Sequence, residues 1–188
     1  MKPTREQAEE AVKTLLLWAG EDPNRDGLKD TPKRVVKAYE EFFSGYQQCE
    51  KQILSSVFED SHGYTEPVLV RDIEFYSHCE HHMVPIKGVV HISYIPHLKL
   101  LGLSKLARLV DVYARRLQTQ ENLTMDIAKA IMDNLSTKGV AVLVEADHMC
   151  MSMRGIKKQK ANTITSCFKG VYETDKKLKD DFLKLIRI

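Results

Sequence analysis

Residues 76–85 read YSHCEHHMVP, which sets His78, Cys79, Glu80, His81 and His82 at five consecutive positions. On both sides the pattern is that of a β-strand. VLVRDIEFY before the cluster and GVVHISYI after it alternate in polarity and are rich in β-branched and aromatic residues. Two antiparallel strands joined through a turn crowded with metal-ligand side chains are therefore predicted. Cys79 and His82 form C-x-x-H, a spacing that lets two side chains converge on one ion from a turn or a helix start. Two ligands do not complete a site, so the fold must bring at least one more from elsewhere in the chain.

The remaining pattern says what can surround that hairpin. Thr4 and Gln7 form a capping box, and Ala8, Ala11, Val12, Leu15 and Trp18 recur at helical spacing, predicting a first helix that ends near Gly20. GEDPNRDGLKD reads as a loop, and Thr31-Pro32 opens a second helix to about Phe43, with Val35, Val36, Tyr39, Phe42 and Phe43 on its apolar face. Residues 45–66 have no firm period and read as a loop with a short helix. After the two strands, GLSKLARLVDVYARRL places Leu106, Leu109, Val110, Tyr113 and Leu117 on one helical stripe. Leu123, Ile127, Ile131 and Leu135 form another. GVAVLVEADHMCMSM and NTITSCFKGVY then read as strands, followed by a short charged helix. The expected class is α+β, with core order ββααββ, an N-terminal helical region over 1–65 and a core domain over 66–188.

Composition excludes several functions. With 188 residues, 43% of them hydrophobic, the chain can bury a core, yet no window approaches the roughly 18 apolar residues of a membrane span. The start, MKPTREQAEEAV, is too polar for a signal peptide, so a cytoplasmic, membrane-free protein is expected. A net charge of +2, with the basic residues spread along the chain, argues against nucleic acid and makes any anion site local. In a reducing compartment the four cysteines read as free thiols, with Cys49 and Cys167 as packing residues.

Alternation along the later strand supplies a third ligand. Val140, Val142, Val144, Ala146, His148 and Cys150 share one face if the strand runs through them all. Cys79, His82 and Cys150 would then form a Cys₂His set with a fourth position open to water, the arrangement of a catalytic zinc, flanked by His81 and His148. A structural zinc would need a fourth protein ligand, which His148 or His81 could supply; spacing alone favours the catalytic form. The ligand groups stand about seventy residues apart, unlike those of a nucleic-acid zinc finger, and no H-E-x-x-H is present.

Anion chemistry has its own cluster. In GLSKLAR, Ser104 sits at an expected N-cap with Lys105 just inside and Arg108 one turn on, so that unpaired N–H groups, a hydroxyl and two cations form a phosphate cradle. Such cations on an exposed helix are ordinarily just solvated. Arg154, four residues past Cys150 and on its face if the strand continues, and Arg34 and Lys37, one turn apart on the second helix, add the charges a polyphosphate needs. Between the two core helices stand Gln120 and Glu121. A carboxylate there can accept from the donor edge of guanine, or Glu121 can simply favour the start of a helix.

CEHH, GLSKLAR, QTQE and HMCMSMR, in this order and at these separations, resemble GTP cyclohydrolase I, as does GLKDTPKRVVKAY. The resemblance runs from about Gly27 to the C-terminal helix. It implies a T-fold, an antiparallel sheet with two layered helices, whose subunits join into a toroidal homodecamer with active sites between them. It implies zinc on Cys79, His82 and Cys150, acid/base roles for His81 and His148, and triphosphate contacts from Ser104, Lys105, Arg108 and Arg154, with Arg34 and Lys37 reaching across an interface. Guanine would be held by Gln120 and Glu121. The implied reaction opens the imidazole ring of GTP, releases formate and gives 7,8-dihydroneopterin triphosphate for tetrahydrofolate or related pterin or deazapurine synthesis. Ser104 and His81 are candidates for proton transfer to the sugar, and Glu80 for orienting a ligand or closing a subunit contact. Met83 stands where the family usually has a larger or branched apolar residue, and the N-terminal extension is short. Two rivals are a T-fold nucleotide-binding protein with structural zinc and no turnover, and a 6-pyruvoyl-tetrahydropterin synthase, which holds zinc with histidines alone and is disfavoured by the two cysteines.

Overall fold

The computed structural model describes residues 2–55, 57–58, 63–97 and 99–187. The chain divides into two compact units, Met1–Ser44 and Gly45–Ile188. In the first, α1 (Arg5–Trp18) begins with the expected capping box between Thr4 and Gln7, and α2 (Thr31–Phe42) carries Pro32 in its first turn. The Arg5 guanidinium ties the two helices together, 3.1 Å from both Glu9 and Glu40. Neither helix has a fully buried residue, and Trp18 is 86% exposed. The apolar stripe predicted for α1 is thus not fully buried at any position.

The second unit starts earlier than the expected boundary at residue 65. Within it α3 (Glu50–Leu54) is the short helix anticipated between 45 and 66, and it packs on α4 (Leu103–Ala114) and α5 (Gln120–Asn134). Part of that stretch, residues 56 and 59–62, lies outside the described residues. β1 (Val57–Phe58) pairs with β4 (Leu100–Leu101) apart from the main sheet. The main sheet has the order β5-β2-β3-β6-β7, built from β2 (Val68–Cys79), β3 (Pro85–Pro96), β5 (Leu117–Gln118), β6 (Thr137–His148) and β7 (Thr163–Gly170). Every pairing is antiparallel except that of β5 with β2.

Two helices, α4 (Leu103–Ala114) and α5 (Gln120–Asn134), cover one face of this sheet. Between them lies the main core, where Val90, Ile92 and Tyr94 of β3 and the valines of β6 meet Leu106, Leu109, Ile127 and Ile131. At about 25 cal/mol per Å² of apolar surface removed from water, this continuous cluster is the main stabilising term. A smaller cluster on the opposite face sets Ile95, Ala141 and Leu143 beneath α7 (Val171–Thr174) and α8 (Lys176–Ile186), where Ser93 and Tyr172 share a hydrogen bond of 2.8 Å. The predicted α+β class and its sheet with two layered helices are what the chain forms, the layering of a T-fold. Among the described residues no helix is long and apolar enough to cross a membrane.

Two local expectations change. Leu117 is not on the helical stripe, because α4 ends at Ala114 and Leu117 belongs to β5 beside His78. The strand expected to reach beyond Cys150 stops at His148, and Met149–Ser152 turns into a short helix, α6.

The course of α4 matters for the site. The Leu101 N–H, just before the helix, donates to the Tyr94 hydroxyl at 3.0 Å, and Tyr94 is the register partner of Val68 at the start of β2. Beyond the helix, β5 pairs with His78 and Cys79 at the other end of β2. So α4 begins far from the cysteine–histidine turn and ends next to it, a run of twelve residues spanning about 18 Å.

Gly88 of β3 faces Ala146 of β6 so closely that a Cβ there would stand 2.2 Å from the Glu145 carbonyl oxygen and 2.7 Å from the Ala146 Cβ. Gly88→Ala is expected to destabilise the fold by about 1–3 kcal/mol, the usual cost of overpacking, read as a lower urea midpoint. An unchanged midpoint would mean that the two strands can separate there at no cost.

Candidate metal centre and active site

Cys79 ends β2 and is 5% exposed. Its N–H donates to the Val84 carbonyl at 2.9 Å, while its own carbonyl accepts from the N–H groups of His82 at 3.3 Å and Met83 at 2.8 Å. Met83 takes the left-handed conformation, φ 53°, that this tight closure requires. The turn folds His82 back until its Nδ1 lies 3.5 Å from Cys79 Sγ. His81 Nδ1 lies 3.8 Å from the same sulfur.

β3 brings the third donor. It pairs with β2 on one side and β6 on the other, matching His78 to Pro85 and Ile86 to His148, so the ligand turn and the end of β6 share one end of the sheet. Cys150 follows on α6, and the ligand atoms of Cys79, His82 and Cys150 all lie within 4.8 Å of one another. A tetrahedral ion with Zn–S and Zn–N bonds of ordinary length would hold such atoms about 3.5–3.8 Å apart, so this donor set fits zinc with little movement. Cys150 arrives by a helical turn and not by strand alternation. Burial, and then the neighbouring Cys79 thiol, push the Cys150 thiol above its ordinary pKa, an effect opposed by the charge of Arg154.

The flanking histidines differ. His81 is exposed, with Nε2 3.8 Å from a Glu80 carboxylate oxygen, and the Glu80 N–H donates to the Gln118 carbonyl at 3.1 Å. Glu80 is thus set beside a histidine that is not in the ligand set. His148 is half-buried on the α5 side of the sheet, and burial pulls its pKa below that of an ordinary imidazole, an effect opposed by Glu121 and Asp147. Its Nε2 lies 2.7 Å from Gln120 Oε1.

The structure separates the pair expected to hold guanine. Glu121 is exposed in the first turn of α5, whereas Gln120 is 2% exposed, its amide nitrogen donating to the carbonyls of Val144 at 3.1 Å and Thr163 at 2.9 Å. No periodicity or motif in the sequence signals that packing; it arises where the start of α5 meets β6 and β7.

Arg154 lies beyond α6 and not on a continued strand, yet its Nη1 reaches to 3.2 Å from His82 Nε2. One cation of the expected triphosphate set is therefore at the metal site. The others are not joined to it within this chain. Gly102, not Ser104, caps α4, because the chain enters the helix directly from β4; Ser104 and Lys105 occupy the end of α4 farthest from the ligand turn, and Arg108 stands one turn further on. Among the described residues no hydrogen bond or ion pair links these three to the cysteine–histidine set. Arg34 and Lys37 are exposed on α2 in the first unit, Arg34 paired with Asp30 at 3.5 Å.

Elemental analysis after gel filtration separates ligands from neighbours. Cys150→Ala is expected to lose bound metal and His148→Ala to retain it; equal loss in both would make His148 a fourth ligand and close the open position.

Comparison with known proteins agrees with this geometry. The family model for GTP cyclohydrolase I matches residues 8–187. The GTP cyclohydrolase 1 of Bartonella quintana (strain Toulouse) is 56% identical over 186 residues, covering 99% of this chain and 90% of the relative. That of Sinorhizobium fredii (strain NBRC 101917 / NGR234) is 54% identical, covering 99% and 91%. Among solved structures, the archaeosine synthase QueF-Like in the apo form overlaps 57% of this chain and 94% of its own, with 19% identity and a TM-score of 0.45. A match across nearly the whole length, at more than half of all positions, places this chain in the GTP cyclohydrolase I family.

Proposed function

We propose that this chain opens the imidazole ring of GTP by hydrolysis, releasing formate and giving 7,8-dihydroneopterin triphosphate, the entry step to tetrahydrofolate or related pterins and deazapurines. The observation that supports this most is the count of ligands: three donors, Cys79, His82 and Cys150, converge, while His81 and His148 stand beside the set. Three protein ligands leave a coordination position for water, the arrangement of catalytic and not structural zinc. Zinc held there would supply Lewis acidity and a bound water ionising near neutral pH.

The chain's own residues do the rest. His148, as the cation, gives a proton to nitrogen 7 of the guanine, which makes carbon 8 electrophilic, a task suited to an imidazole. Glu121 accepts from the guanine donor edge and so orients the ring. His81, with Glu80 beside it, and Ser104 exchange protons with the sugar. Arg154 binds the phosphate chain together with the start of α4, where Ser104 and Lys105 lie in the first turn and Arg108 one turn further on.

That last group implies a second copy. GTP bound at the metal of one chain cannot also lie on the start of the same chain's α4, since the length of that helix separates them. A homo-oligomer in which each site takes its metal from one subunit and its α4 cations from another satisfies both ends. We propose the ring-shaped homodecamer of this family, working in the cytoplasm where GTP is made.

Two experiments test the reading. Protein loaded with zinc and given GTP should release formate and form a fluorescent pterin together, both abolished by a chelator. Neither product from folded, assembled, zinc-loaded protein would favour a nucleotide-binding protein with structural zinc. For the shared site, Cys150→Ala and the double variant Lys105→Ala/Arg108→Ala should each be inactive alone, and co-assembled oligomers of the two should regain part of the activity. No recovery from verified mixed oligomers would confine the site to one chain.

A further inference from the structure

The side chain of Gln120 is the one member of the expected substrate-binding set that the fold buries. It stands at the first residue of α5 and bridges to both neighbouring strands. Its nitrogen lies 3.1 Å from the Val144 carbonyl oxygen of β6 and 2.9 Å from the Thr163 carbonyl oxygen of β7. An amide nitrogen has two hydrogens, and each has an acceptor here. The reversed amide would set its oxygen against two carbonyl oxygens and lose both hydrogen bonds, each contributing about 0.5–1.5 kcal/mol. The orientation is therefore decided by the backbone of two strands.

With the nitrogen so placed, the oxygen faces His148 Nε2 at 2.7 Å. An amide oxygen only accepts, so a neutral His148 must carry its hydrogen on Nε2. The position is braced further: the Thr124 hydroxyl donates to the Gln120 carbonyl at 2.7 Å and stands 2.6 Å from the Thr165 hydroxyl of β7. Among the described residues the His148 imidazole has no other hydrogen-bond partner.

We propose that Gln120 is a positioning residue which holds His148 through Nε2–H, sets its tautomer and ring orientation, and leaves Nδ1 as the nitrogen that meets the substrate. The second half of this rests on the ring-opening activity proposed above. A proton passed from Nδ1 to nitrogen 7 of the guanine breaks the Nδ1–H bond and forms the N7–H bond, while Nε2–H and its bond to Gln120 are unchanged. The imidazole need not turn during the transfer. Gln120 then acts on guanine only through His148.

The test is solid-state nitrogen-15 NMR of the zinc-loaded enzyme labelled in histidine, at pH 8 and without GTP, with the His148 signals assigned by their absence in His148→Ala. Hydrogen on Nε2 and a bare Nδ1 are expected. Hydrogen on Nδ1 in the wild-type protein would overturn the proposal, and this result does not depend on any Gln120 variant folding. Gln120→Met, of similar size but without the amide, should lose the Nε2–H preference and lower kcat about 10- to 100-fold, with metal content retained and KM for GTP within about twofold of the parent. A raised KM with unchanged kcat in Gln120→Met would instead make Gln120 a direct guanine contact and refute the positioning role. Failure of the activity itself appears separately, as absence of formate from a wild-type enzyme whose spectrum is as expected.

Discussion

Everything at the site depends on β3 pairing with two partners at once. On one side it closes the hairpin that presents Cys79 and His82, and on the other it sets the register that ends β6 at His148 next to that turn. A slip of one residue in the β3–β6 ladder would send His148 to the opposite face and swing Cys150 away from Cys79, since strand side chains alternate with period two. The long apolar run of β6 guards against such a slip. Val140, Val142 and Val144 are fully buried against the helices, so a slip of one residue would exchange the core face for the smaller one beneath α7 and α8.

The same sheet end also brings together groups of unlike character. Two thiols and an imidazole form a soft donor set, while a few residues away a buried amide ties β6, β7 and α5 to a second imidazole. Buried polar groups are costly unless every hydrogen has an acceptor, and the Gln120 amide meets that condition with backbone carbonyls alone. The arrangement is rigid because it belongs to the secondary structure. A histidine held in this way keeps its geometry where a surface histidine such as His81 does not need to.

Charge is distributed differently from metal chemistry. A net charge of +2 gives no global attraction for a triphosphate, so affinity has to come from local groups. Arg154 is carried to the metal by the turn after α6, whereas Ser104, Lys105 and Arg108 are carried away from it by the direction of α4. The direction is imposed by the connection: β3 ends at the far end of the sheet, and the helix must run back along β2 before β5 can pair beside Cys79. A single chain thus carries these two sets of cations at different places.

The ligand set was readable because cysteine and histidine are rare and their spacing is informative; so were the α+β class and the two layered helices, from runs of period two and period 3.6. Other readings failed where a boundary of one or two residues decides the geometry. Alternation was extended through Cys150, although β6 stops at His148, and Ser104 was given a cap position that the short β4 strand moves to Gly102. The family resemblance pairs Gln120 with Glu121, and the helix start turns these adjacent side chains in different directions, one into the sheet and one to solvent. By itself the sequence determined which chemical groups are present and the periodicity of the elements that carry them. Tertiary structure decided which groups meet, which nitrogen of His148 faces Gln120 and which cations stand at the far end of α4, because those depend on strand register and helix direction, which no local pattern encodes.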